Sequence, residues 1–168
     1  MSSISVIKDS VVYMNVDCIV NAANCSLMGG GGVDGAIHNA AGNELYNACA
    51  KIGYCKTGDA VITPGFNLKA KYIIHTVGPI YSKNNINQCA QLLENCYINC
   101  LKLARENNIH SIAFPGISTG VYGYPLIDAT KIALSTVKKW IDDNDYDIDI
   151  TFCCFTQKEY DIYQKLNN

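Results

Sequence analysis

Between residues 21 and 42 the chain reads NAANCSLMGGGGVDGAIHNAAG, setting two asparagines, four consecutive glycines and an aspartate at the mouth of a predicted helix. Glycine loses more conformational entropy on folding than any other residue. A run of four therefore marks backbone that must take a positive φ or touch a ligand. Free N–H groups in such a loop, opening into a helix near Asp34, form an anion site. The implied ligand carries phosphate. Asp34 itself would be repelled by phosphate, by about 1 kcal/mol in water and several times more when partly buried, so it is not a phosphate ligand. Two readings of it stand. It is a first-turn acid favoured by the helix dipole, worth about 0.3–1 kcal/mol, or a positioned acceptor for a ribose hydroxyl or an attacking water. Asn21 and Asn24 follow an apolar strand, where a neutral amide both donates and accepts, as sugar hydroxyls require. Asparagine is also a common turn residue. Beside the glycines and Asp34, Asn24 is assigned to the ligand and Asn21 to support of the loop.

A second glycine-bracketed loop, Gly116 to Gly123, follows an apolar strand ending at Phe114 and precedes a helix starting near Pro125. Two such loops at one end of a sheet would hold a diphosphate from both sides; each alone also reads as a plain connection. Phe155 ends the last predicted strand on the same side, where it either stacks on a base or packs in the core. Tyr122 lies inside the second loop and is harder to assign to the core.

Other chemistries are disfavoured. Gly30, Gly32 and Gly35 satisfy G-x-G-x-x-G, but eight residues, Asn21 to Met28, separate them from their strand, whereas a dinucleotide fingerprint follows its strand directly. No Gly-Lys-Ser/Thr follows the glycines, which argues against an ordinary nucleotide triphosphatase. Nothing specific pairs Cys25 with His38 as nucleophile and base. His75 and His110 fall in predicted strands and read as satisfied structural histidines. The nine cysteines lack the paired spacing of a zinc site, so no metal is expected.

These residues are positioned by an alternation of short apolar strands and helices. Strands are predicted over 4–8, 11–14, 16–21, 60–63, 71–77, 110–114 and 148–155. Helices are predicted over 34–50 with a break at Gly42, over 88–106, 125–141 and 158–166. The second of these carries an apolar stripe of Leu92, Leu93, Cys96, Cys100 and Leu103. Such alternation implies one layered α/β domain, which 168 residues at 49% hydrophobic content suffice to fill. The start, MSSISVIKDS, has neither a basic stretch nor a long apolar run, and no segment predicts a membrane span. An odd number of cysteines without a leader suggests reduced thiols and a cytoplasmic protein, and a monomer is expected. A net charge of -2 and a pI near 5.8 disfavour nucleic acid as a partner.

The segments NAANCSLMGGGGVDGAIHNAAG, GDAVITPGFNLKAKYIIHTVGPIY and GISTGVYGYP closely resemble the MacroD-type class of macro domains, over nearly the whole chain. The resemblance implies a three-layer α/β/α fold with a mixed central sheet, binding ADP-ribose at the strand ends without metal or cofactor. It further implies that Asp17 accepts from the adenine amino group, with Cys18 beside it, and that Phe155 stacks on the ring. Gly29, Gly30, Gly31, Gly32 and Val33 would wrap the distal ribose and diphosphate. Ser118, Thr119, Gly120, Val121 and Tyr122 would clasp the diphosphate from the other side. Asn24 and Asp34 would face the distal ribose. The class removes mono-ADP-ribose from acidic protein side chains and deacetylates O-acetyl-ADP-ribose. Asp34, with a substrate phosphate oxygen, would orient and deprotonate a water while Asn24 fixes the sugar. The alternative is a module that reads ADP-ribosylated partners without cleaving them; Asn24 and Asp34 favour the enzyme.

Overall fold

Strands β1 (Ser3–Lys8), β2 (Cys18–Ala22), β3 (Ala60–Pro64), β4 (Tyr72–Thr76), β5 (Ser111–Phe114) and β6 (Asp149–Cys154) form one sheet in the order β1-β6-β5-β2-β4-β3. The computed structural model describes every residue, Met1–Asn168. All neighbouring strands run parallel except β3, which pairs antiparallel with β4. The sheet is therefore mixed.

Side-chain alternation along the strands feeds two cores. From β2, Cys18 and Val20 join a cluster with Ile74, Phe114 and Phe152, closed by α3 (Ile86–Glu106), α4 (Leu126–Asp143) and α5 (Gln157–Asn167). Ile19 points the other way and joins Ile73, Ala113 and Cys153 beneath α1 (Gly32–Ala41) and α2 (Asn43–Ile52). Helices on both faces make the three-layer α/β/α arrangement. The break at Gly42 separates α1 from α2: this residue has φ +94°, and a Cβ there would come within 2.8 Å of the Asn67 amide. The α3 stripe is built from Cys89, Leu93, Cys96, Tyr97, Cys100, Leu101 and Ala104, with Leu92 and Leu103 only half-buried.

One expected strand is absent. Val11–Tyr13 is a short 3-10 turn, because the Ser10 hydroxyl accepts from the Val12 amide at 3.3 Å and caps it. His110 lies before β5, exposed, with Nδ1 2.7 Å from the Asp147 carbonyl oxygen. No helix is long and apolar enough to cross a membrane.

Because β1, β6, β5, β2 and β4 are parallel, their C-terminal ends share one rim. The glycine run, the Gly116 to Gly123 loop, Phe155 and Asp9 each leave the sheet there.

Candidate active site

The first loop is built over two side chains. Leaving β2, the Asn24 amide donates to the Gly29 carbonyl oxygen at 2.9 Å and its oxygen accepts from the Ser26 hydroxyl at 2.7 Å, so the loop fixes this side chain. Gly29 and Gly32 take φ of +91° and +59°, values that a side chain would strain. A Cβ at Gly30 would lie 3.4 Å from both Asn24 Nδ2 and Asp34 Oδ2. Gly30 therefore covers Asn24 and Asp34 together.

Asp34, in the first turn of α1, is 4% exposed. Its Oδ1 accepts from Asn21 Nδ2 at 2.9 Å and lies 3.5 Å from His38 Nε2. Burial raises the Asp34 carboxyl above the usual range, with the Asn21 hydrogen bond and His38 opposing the shift. Burial likewise pushes the His38 imidazolium down, against the pull of Asp34. The pair is better described as a carboxylate facing a neutral imidazole than as an ion pair: neither His38 nitrogen makes a hydrogen bond, and the ring lies on Tyr46 with centroids 4.4 Å apart.

The second loop is anchored at Ser118, which holds φ +66° while its hydroxyl donates to the Pro79 carbonyl oxygen at 2.7 Å. Its carbonyl accepts from the Tyr124 amide at 2.9 Å. Beyond the anchor Val121 is wholly exposed. The amides of Gly30, Gly31, Gly32 and Val33 in one loop, and of Thr119, Gly120, Val121 and Tyr122 in the other, donate to no group of the chain. Uncommitted amides on two loops at one rim suit a doubly charged anion.

The sequence model of the Macro domain matches residues 20–133. The chain belongs to the macro domain family. It is 50% identical over 167 residues to the ADP-ribose glycohydrolase MACROD2 of Homo sapiens, covering 98% of this chain but only 39% of that protein. It is 50% identical over 169 residues to the O-acetyl-ADP-ribose deacetylase of Salmonella newport, covering 98% of this chain and 94% of the other. Among solved structures, the Oceanobacillus iheyensis macrodomain with ADP superposes with a TM-score of 0.91 at 43% identity, over 96% of this chain and 87% of that one.

Within this macro domain, the expectation that Asp17 and Cys18 meet the ligand is overturned. Asp17 precedes β2 at the opposite rim, where its carboxylate accepts from the His110 amide at 3.0 Å and its own amide donates to the Ser111 hydroxyl at 2.8 Å. It staples the N-terminal ends of two strands. Cys18 is wholly buried among the α3 and α4 side chains, and burial raises its thiol well above the usual range.

The carboxylate on the correct rim is Asp9, which lies between the strands predicted over 4–8 and 11–14. Parallel register sets Lys8 beside Cys154, so Asp9 leaves β1 level with Phe155 leaving β6. Asp9 is exposed, with Oδ1 2.7 Å from the Ser10 amide. Phe155 is 84% exposed, which removes its core reading, and its amide is held by Glu159 Oε1 at 2.6 Å. A carboxylate directly after an apolar strand was the available signal.

Cys25 is half-buried with Sγ 3.8 Å from Thr57 Oγ1. No group of three or more His, Cys, Asp or Glu side chains is placed to hold a metal ion.

Proposed function

We propose that this macro domain binds ADP-ribose and hydrolyses esters of its distal ribose, acting on O-acetyl-ADP-ribose and on mono-ADP-ribosylated acidic side chains of proteins. The observation that carries this reading is a buried carboxylate, Asp34, beneath the glycine loop and beside the fixed amide of Asn24. In a binder that only grips phosphate, an acid at this point would be a liability.

The free amides of the two loops grip the diphosphate from both sides. The adenine lies on Phe155, its amino group donating to Asp9. That direction along the rim delivers the distal ribose to Asn24 and Asp34. Asn24 hydrogen-bonds a ribose hydroxyl, and Asp34 accepts a proton of the attacking water as its oxygen adds to the ester carbon. Cleavage then leaves ADP-ribose and the free acid. An ordinary aspartate is a weak base at neutral pH, but burial raises this one toward the useful range. The Asn21 hydrogen bond opposes that rise and favours the ionised form that a base requires.

We also place the domain in the cytoplasm. Its nine cysteines are free thiols, a state that a reducing compartment preserves.

The test is incubation with O-acetyl-ADP-ribose and with a glutamate-linked ADP-ribosyl protein, comparing wild type and Asp34→Ala. Release of product by the wild type alone supports the enzyme. Binding without release by both identifies a reader module.

A further inference from the structure

Behind Asp34 a chain of hydrogen bonds crosses three strands. Asn21 on β2 and His75 on β4 are direct partners in the parallel register, so both side chains rise from the same face of the sheet, toward α1. Val61 on β3 faces His75 across the antiparallel pair, and Thr63, two residues on, shares that face. The side chains connect: Asn21 Nδ2 lies 2.9 Å from Asp34 Oδ1 and 3.0 Å from His75 Nδ1, and His75 Nε2 lies 2.9 Å from Thr63 Oγ1. Asn21, His75 and Thr63 are all buried, and none is positioned to touch a ligand at the rim.

We propose that His75, held by Thr63, is a positioning residue for the hydrolysis: its imidazole fixes the Asn21 amide in the orientation that offers Asp34 a donor. This rests on the reading of Asp34 as the base. The proton inventory carries the argument. An amide NH2 has two hydrogens, and Asn21 gives one to the carboxylate and the other to His75 Nδ1. His75 Nδ1 must then be the bare nitrogen, which leaves its proton on Nε2, donated to Thr63. The orphaned oxygen supports this assignment. Asn21 Oδ1 is buried with no partner, so it is the NH2 side of the amide, not its oxygen, that faces Asp34 and His75.

The alternative arrangement is equally definite. With the proton on Nδ1, His75 becomes a donor, and the amide turns its oxygen toward both His75 and Asp34. An acceptor against Asp34 favours the protonated acid, which is no base. Which tautomer His75 adopts therefore decides whether Asp34 meets a donor or an acceptor, and in the first arrangement the Thr63 hydroxyl accepts from Nε2–H, a bond that an apolar residue there would leave unmade. Three titratable groups sit around Asp34: His38 on α1, Cys49 on α2 and His75 on β4. His38 and His75 are both pushed toward neutrality by burial and Cys49 is held as a thiol, so none supplies a fixed charge in place of the Asn21 donor.

The experiment uses Thr63→Val, His75→Leu and His75→Asn, the last keeping an acceptor oxygen where Nδ1 stood. Imidazole nitrogen NMR on the ligand-free protein should show His75 protonated at Nε2 in the wild type and shifted toward Nδ1 in Thr63→Val. With O-acetyl-ADP-ribose, Thr63→Val and His75→Leu should move the acid limb of kcat upward by about one pH unit, a roughly tenfold loss on the acid side. KM and ADP-ribose affinity should stay within about twofold. His75→Asn should retain the wild-type limb. If His75→Leu does not fold, Thr63→Val and His75→Asn decide. A wild-type His75 protonated at Nδ1, or a Thr63→Val limb identical to wild type, overturns the proposal, as does a loss uniform in pH that tracks ADP-ribose binding. Full turnover by Asp34→Asn would instead refute the base, and the NMR result would still report on the His75 tautomer.

Discussion

Acid should loosen this fold through His75, and the size of the effect follows from its burial. The side chain is wholly inaccessible, and desolvation, with a smaller contribution from His38, lowers its pKa from 6.5 to about 3. Between those values the unfolded chain holds a proton on this residue that the folded chain refuses. Stability therefore falls as pH drops, by about 1.4 kcal/mol per unit, and the contribution is complete only above the ordinary imidazole value. From pH 6.5, where the unfolded imidazole is half protonated, to pH 5 the loss is about 1.6 kcal/mol, and for a chain of this size each kcal/mol moves Tm by about 2–4 °C. Other groups titrate over the same range, so the informative quantity is the difference between wild type and His75→Asn. Thermal and urea melts followed by circular dichroism at several pH values give that difference directly. His75→Asn has a constant offset from its lost bond to Thr63, but should gain on the wild type by about 3–6 °C between pH 6.5 and 5. Two melting curves that stay parallel over that interval would refute the claim that His75 is held neutral.

Further outcomes are expected for five variants. Asp34→Asn should lower ester turnover by about 10²-fold or more while leaving ADP-ribose affinity within a few-fold, as read by product assay and calorimetry. Since the Asp34 carboxyl is raised above its ordinary value, ionising it costs stability as pH rises; the same variant should melt higher than wild type at pH 7, with the gain vanishing in acid. In Gly35→Ala the new Cβ would run into the Gly30 carbonyl; overpacking should cost about 1–3 kcal/mol and, by lifting the loop, weaken ADP-ribose binding more than it lowers Tm implies. Phe155→Ala should leave Tm unchanged, because the ring is 84% exposed, but weaken ADP-ribose by about 1–3 kcal/mol, the worth of a base stack. Asp9→Ala should weaken ADP-ribose without unfolding the protein, whereas Asp17→Ala should lower Tm without touching affinity, since Asp17 caps strand ends at the far rim.

What the sequence disclosed depended on whether partners are near in the chain. The glycine run, Asn24 and Asp34 lie within one loop and one helical turn, so their proximity, and the suggestion of a phosphate ligand, could be read from the sequence alone. The helix break at Gly42 and the strand, loop, helix repeat at Gly116 to Gly123 were local in the same way. Asp9 and Asp17 show where that stops. Both adjoin an apolar strand, and period-two patterning fixes which face a residue takes but not which end of the sheet it reaches. Only the direction of β1 and its register against β6 set Asp9 beside Phe155, while the start of β2 carries Asp17 to the far side. His75 makes the same point inside the core. Reading it as a satisfied histidine was correct, but its partners are Asn21 and Thr63, on strands joined to β4 from either side. Satisfaction in this case is directional: a buried imidazole has one donor and one acceptor, so its tautomer and the way the Asn21 amide faces Asp34 are fixed together. The sheet order, which no local pattern encodes, is thus what turns a structural histidine into a determinant of the acid's proton.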